Sequence, residues 1–155
     1  MKSRILSACA LLLAACASAP SETEALVEGS STSASLQSLP TQTLEPGVCG
    51  LFLWTRDEPR RFTLFYPSGS ATAEAIVNGR QDTLTKESQG GDVLEQFMTF
   101  MRFHAEDGSP VELSLKAGEL IEGGRRVPSA RMISKNAEGW EIITPLAGLT
   151  ACQPE

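Results

Sequence analysis

The chain has 155 residues, with 13 Lys and Arg, 19 Asp and Glu, one His, four Cys, six Phe, two Trp and one Tyr. That length holds one domain with tails, not two full-sized cores. A net charge of −6 excludes a nucleic-acid binder, which needs clustered positive charge against phosphates, and a single imidazole excludes most metal sites and catalytic triads. Residues 1–15 carry Lys2 and Arg4 and no acid, so the remaining 140 residues hold 11 bases and 19 acids, a net of −8.

Met1 to Arg4 form a positive n-region, and Ile5 to Ala15 form an apolar stretch rich in Leu and Ala. Such a stretch is too short to span a hydrocarbon layer of about 30 Å, which takes roughly 20 helical residues. It reads as the h-region of a signal peptide. The segment ends in Leu13-Ala14-Ala15-Cys16, which resembles the lipobox of bacterial lipoproteins. The resemblance implies that residues 1–15 are removed and that the thiol of Cys16 carries palmitate-type acyl chains. It also implies anchoring at the outer membrane, facing the periplasm, because Ala17 and not Asp follows the cysteine. A second similar string, Leu6-Ser7-Ala8-Cys9, is preceded by one apolar residue only, so Cys9 leaves with the signal. The competing reading is cleavage at an A-x-A site, over Ala17-Ser18-Ala19 or Ala15-Cys16-Ala17, giving a soluble periplasmic protein.

Residues 17–45 contain seven Ser, four Thr, four Ala and two Pro, with Glu22, Glu24, Glu28 and Glu45 and no base or aromatic residue. This composition buries too little apolar surface to offset chain entropy. Residues 16–45 are therefore expected to be a lipidated cysteine followed by a flexible tether, whose root-mean-square reach is about 30 Å.

Residues 46–155 have a different character, with every aromatic residue lying between Phe52 and Trp140. Short apolar runs separated by turn signals predict an all-β domain. Cys49 to Trp54 forms the first run, and Arg61 to Tyr66 alternates, with Phe62, Leu64 and Tyr66 on one side. Thr72 to Val77 and Arg80 to Lys86 flank Asn78-Gly79, the strongest short hairpin signal. A two-residue loop there pairs Ala75 with Asp82 and Ala73 with Leu84, giving a small-residue buried row of Ala71, Ala73, Ala75 and Leu84. Residues 93–104 fit either a helix, capped by Asp92 and Glu95, or a strand presenting Phe97, Met101 and Phe103 on one face. Register favours the strand: a three-residue loop with Gly108 left-handed pairs Phe103 with Val111 and Met101 with Leu113, apolar with apolar. After a loop holding Gly118, Gly123 and Gly124, arms at Ala130–Lys135 and Trp140–Thr144 surround Asn136 to Gly139, and Leu146 to Cys152 closes the chain. The expected architecture is a small antiparallel barrel or curled sheet of about seven to eight strands.

With Cys9 discarded and Cys16 acylated, Cys49 and Cys152 remain, at the first and last strands. Export places them in an oxidising compartment, and neither has His, Lys or Arg within four residues to activate a thiolate. They are expected to form a disulfide worth up to about 4–5 kcal/mol in the chain-entropy model.

No grouping of residues points to catalysis. His104 reads as a strand-end residue, without the surroundings of a hydrolase elbow or metal motif. Glu122-Gly123-Gly124-Arg125-Arg126 lacks the Lys-Ser/Thr and following helix of a phosphate loop. It reads as a loop with solvated arginines, and Arg60-Arg61 as a charged start to a strand. Trp54 and Trp140 read as core or rim aromatics, with ligand lining the alternative. Asp57 with Glu58, and Glu106 with Asp107, read as turn acids.

Ser68-Gly69-Ser70-Ala71, together with a lipobox, a small β-domain and one disulfide, resembles the membrane-bound inhibitors of c-type lysozyme. In that family a Ser- and Gly-rich loop and a separate Lys enter the lysozyme cleft. The resemblance implies that Ser68, Gly69 and Ser70 form a partner loop. The downstream Lys-Gly element of that family is missing, since Lys116 and Lys135 precede Ala117 and Asn136. The expected protein is a lipid-anchored, non-enzymatic binding or accessory module of the cell envelope. It needs no cofactor or metal, and its partner is an envelope protein or polymer. Alternatives are a lysozyme-type inhibitor and an apolar-ligand carrier using the barrel interior.

Overall fold

A computed structural model describes residues 37–155. The expected signal peptide, Cys16 and the tether as far as residue 36 lie outside the described residues. Nine strands follow in order: β1 (Cys49–Thr55), β2 (Phe62–Pro67), β3 (Thr72–Val77), β4 (Arg80–Leu94), β5 (Phe97–His104), β6 (Pro110–Lys116), β7 (Leu120–Ile121), β8 (Gly124–Lys135) and β9 (Glu141–Cys152). From β1 to β6 each strand pairs with the next. β6 then pairs with β8, β8 with β9, and β9 returns to β1, so eight antiparallel strands close into a barrel. β7 is an extra two-residue strand on the start of β8.

Turn chemistry sets the registers. Asn78 has φ 50° and Gly79 φ 79°, the left-handed pair that a two-residue hairpin loop requires, and Ala75 stands opposite Asp82 and Ala73 opposite Leu84. Gly108 has φ 81°, and Phe103 pairs with Val111 and Met101 with Leu113, the apolar register. Residues 93–104 form no helix: β4 runs to Leu94, Glu95 and Gln96 make the turn, and β5 returns from Phe97.

Alternation along the strands fills the inside. Leu51, Leu53, Leu64, Leu84, Met101, Phe103, Leu113 and Leu146 are fully buried. Ala73 and Ala75, also buried, keep β3 thin and leave room for the rings of Tyr66, Phe97 and Phe103, whose centroids lie 5.7 Å from one another in the two pairs that Tyr66 makes. Small and large side chains alternating in this way fit the taper of a small barrel. Ala71 does not belong to that row. It is exposed in the turn before β3, and Val77 and Asp82 take the remaining inward positions. The Asp82 carboxylate accepts from the Glu106 N–H at 3.0 Å, so this buried acid is satisfied.

The described domain reaches back past Pro46. β2 pairs with β3 only at Leu64 and Phe65. At Phe62 the chain supplies other partners: the Phe62 N–H donates to Ser38 Oγ at 3.1 Å, and its carbonyl accepts from the Leu39 N–H at 2.8 Å. Leu39 is buried as a result. Segment 38–45 therefore includes an ordered contact with the barrel, where composition alone suggested tether throughout.

Cys49 pairs with Cys152 across the β1–β9 ladder, and the two are joined in a disulfide spanning 103 positions of sequence. Gly148 lies in the same seam, opposite Leu53 on one side and Val127 on the other. A methyl group there would overlap the Phe52 carbonyl.

Two outcomes follow for stability. Replacing both Cys49 and Cys152 by Ser should lower unfolding free energy by about 2–4 kcal/mol, because a long loop is released in the unfolded chain, measured as a drop in urea midpoint with a rise in m as the unfolded chain loses compactness. Gly148→Ala should cost about 3 kcal/mol through backbone overlap, whereas Gly90→Ser, in open space and without a left-handed φ, should cost no more than a fraction of that in the same titration.

Candidate functional site

The outer wall over the β1–β9–β8 seam carries a groove of about 740 Å³. Its floor is small because Ala147 and Gly148 are the β9 residues opposite Trp54 and Leu53. One side rises as Trp54, and the other as Pro128, which stands where the β8–β9 register shifts between Val127 and Ala130. Such a bulge is where proline is tolerated within a sheet. Three guanidinium groups border the groove: Arg56 just past the end of β1, Arg60 in the β1–β2 loop, and Arg126 on β8.

Each arginine doublet is divided. Arg61 Nη2 holds Asp57 at 3.0 Å, and Arg125 Nε holds Glu95 at 2.9 Å while its Nη1 donates to the Gly118 carbonyl at 3.1 Å. Alternation along β8 turns Arg126 outward, and Arg60 in the β1–β2 loop is likewise exposed. Arg60 makes a 3.5 Å contact with Glu58, and Arg126 one of 2.8 Å with Glu119, and all four side chains are more than half exposed. Surface pairs of this kind contribute little and exchange readily. Asp57 does not neutralise Arg56 or Arg60. Hydrogen bonds from the Thr55 hydroxyl and from its own backbone N–H hold its carboxyl below the ordinary range, and Arg61 adds to the effect. Arg56 has no carboxylate within 4.0 Å among the described residues. An acidic chain thus gathers three arginines from sequence positions up to 70 apart on one wall.

Trp54 is half-buried, its ring 5.0 Å from that of Phe62 and 6.4 Å from that of Phe52. Phe52 in turn lies 5.1 Å from Phe65. Phe62 and Phe52, the latter backed by Phe65, brace the indole, so Trp54 is a rigid wall and not a loose surface ring. Phe62 faces outward with Trp54, and not inward with Leu64 and Tyr66, because the β1–β2 register shifts between Leu53 and Trp54. Trp140 is neither core nor packed rim: it is 72% exposed beside the β8–β9 turn.

The partner-loop residues lie at the other end of β1, beside the disulfide. Ser68 Oγ accepts from the Cys49 N–H at 3.2 Å, and the Ser68 N–H donates to the Cys49 carbonyl at 2.8 Å. Ser70 Oγ accepts from the Thr72 N–H at 3.0 Å, while its carbonyl receives the Tyr66 hydroxyl at 3.0 Å and Lys86 Nζ at 3.2 Å. Both hydroxyls are engaged in shaping the turn; Gly69 is the exposed tip. The structure does not bring this loop to the arginine groove. His104 closes β5, with Nε2 3.3 Å from Glu87. Gly124 to Arg126 belong to β8 and not to a loop, which is why the second doublet faces the wall. Among the described residues no group of His, Cys, Asp and Glu is arranged to hold a metal ion, and no helix is long and apolar enough to cross a membrane.

Comparison with protein-family models, curated proteins and solved structures finds no match to this chain.

The division of the doublets has a measurable consequence. Arg125→Ala removes a partly buried ion pair and a bond to Gly118, and should cost about 1–2 kcal/mol in chemical denaturation. Arg126→Ala, one position on, should change stability by less than about 0.5 kcal/mol.

Proposed function

We propose that this chain is a lipid-anchored, non-enzymatic binding module of the cell envelope, which meets its ligand on the outer wall of the barrel. The observation that carries the binding part is the arginine groove of an acidic domain whose interior is already occupied by side chains. A carrier of apolar ligands would use the inside; here large apolar side chains from nearly every strand, with Ala73, Ala75, Ala105 and Ala130 between them, fill it. The anchoring part rests on the sequence Leu13-Ala14-Ala15-Cys16 with its basic and apolar approach. Two or more acyl chains on Cys16 give stable membrane residence where one gives only marginal binding, so the domain needs no apolar belt of its own. The outer membrane, facing the periplasm, is the location the residue after Cys16 supports.

The non-enzymatic part is supported by the chemistry of the groove. Three guanidiniums and an indole bind and orient anions, but supply no general base or nucleophile near neutral pH. The lone imidazole is on β5, which is not part of the groove wall. The lysozyme-type alternative would act through Ser68 and Ser70, whose hydroxyls serve the turn.

The test of anchoring is Cys16→Ser followed by cell fractionation. The protein should move from the membrane pellet to the soluble periplasmic fraction, and intact-mass measurement of the parent should show the added acyl mass. Pelleting unchanged by the substitution would remove the anchor from the proposal. Micromolar protein should leave c-type lysozyme fully active; loss of lysozyme activity that Ser68→Ala and Ser70→Ala relieve would replace the proposed role with inhibition.

A further inference from the structure

We infer that the groove bordered by Trp54, Arg56, Arg60 and Arg126 binds an acidic saccharide chain, a polymer of sugar rings bearing carboxylates. The inference rests on reading the chain as a binding module and names the ligand class of that same site.

Three features select this chemistry. First, the cations are arginines and no lysine borders the groove. Guanidinium presents a planar fork matched to a carboxylate, and such charge-assisted pairs are about twice as strong as neutral hydrogen bonds. Second, the side wall is an indole held by Phe62 and Phe52 behind it, a flat apolar surface suited to the C–H face of a pyranose ring. Beside it Ala147 leaves the floor low enough for a ring to lie against Trp54. Third, the groove is an open trough on the barrel wall, and its volume of about 740 Å³ falls within the size range of ligand sites. A polymer can cross such a trough without presenting an end.

The same geometry disfavours an extended polypeptide. Peptides commonly bind by adding a strand to a free sheet edge, and the groove has none. β1 is paired with β2 and β9, and β9 is paired with β1 and β8 along the floor. The backbone of Arg126 is itself taken, its N–H by the Glu119 carbonyl and its carbonyl by the Gly118 N–H, both at 2.9 Å. A polyphosphate would be held by charge alone and would leave Trp54 unused.

The test uses the full chain, purified from membranes in detergent. Titration calorimetry and tryptophan emission are followed against tetragalacturonate, against neutral maltotetraose and against inorganic polyphosphate of similar length. Tetragalacturonate should bind and change the emission, weakening as salt is raised, and the other two should bind at least about tenfold less tightly. Arg56→Gln with Arg126→Gln should lower its affinity tenfold or more, and Trp54→Leu should do so with the charge intact. Arg131→Gln, elsewhere on β8, should leave it unchanged. Arg56→Lys with Arg126→Lys keeps the charge and guards against a folding defect; it should still weaken binding by removing the fork. No binding of tetragalacturonate at millimolar concentration overturns the inference. So does equal binding of maltotetraose or polyphosphate, or affinity untouched by the Trp54 and arginine substitutions. The fractionation of Cys16→Ser is read on separate material, so the groove can fail with the anchor standing, and the anchor with the groove standing.

Discussion

The ladder between β1 and β9 is the constraint on which the rest of this molecule depends. Without it the remaining strands make one curled sheet with two long unpaired edges, and exposed edges are templates for pairing with other chains. With it, seven consecutive residue pairs from Cys49–Cys152 to Thr55–Leu146 join the two ends of the domain. The entropic cost is large, since the partners lie about a hundred residues apart and long-range pairing is slow to form. The disulfide lowers that cost by restricting the unfolded chain. Hydrogen bonds from Gly47 N–H to the Gln153 carbonyl and from Gln153 N–H to the Val48 carbonyl, each 3.0 Å, extend the seam past the bridge.

Closure also decides what space the wall leaves on each side. Eight strands leave an interior just wide enough for side chains, and here large and small residues interlock to occupy it. The seam then does a second thing. Trp54 belongs to β1, Ala147 and Leu149 to β9, and Arg126 to β8, so the groove exists only in the closed barrel. Stability and site share one element. A change that opens the seam removes the groove as well, and only substitutions such as Arg126→Ala, which leave the ladder intact, separate binding from folding.

Much of the architecture was legible in the sequence because turn chemistry and alternation pointed the same way. Asn78-Gly79 fixes a two-residue loop and Gly108 admits the register that joins Phe103 to Val111 and Met101 to Leu113, and a one-residue slip would have turned every side chain over. Elsewhere local signals misled for physical reasons. Pro145 reads as a break between two arms, yet β9 runs through it. Within a strand the N–H and C=O of one residue face the same neighbour. The Pro145 carbonyl accepts from the Arg56 N–H on the β1 side at 3.3 Å, so the missing N–H takes nothing from the β8 ladder. Leu39 gave no signal, being a lone apolar residue among Ser, Thr and Pro. Its burial depends on a vacancy beside Phe62 that only the short β2–β3 pairing creates. Trp140 has the residue type of a core member, but the β8–β9 turn carries it outward.

The groove was the least legible feature, because it is made by parity acting at a distance. Two Arg-Arg doublets, each unremarkable as solvated charge, lie in segments that the seam brings to one wall. On a β-strand or at its threshold, adjacent side chains take opposite faces, so a doublet can supply one packed arginine and one exposed arginine whose surface ion pair exchanges readily. Arg61 and Arg125 bind carboxylates that hold loops in place, and Arg60 and Arg126 are left to the solvent side with Arg56. The positive potential this creates is local. At physiological ionic strength charges are screened over about 8 Å, so a ligand at the wall is governed by these guanidiniums and their two exposed glutamates far more than by the net −6 of the whole chain. On the proposed reading, that range lets an acidic domain hold an anion at close quarters without attracting it over a long distance, and recognition would then depend on contact with Trp54 as much as on charge.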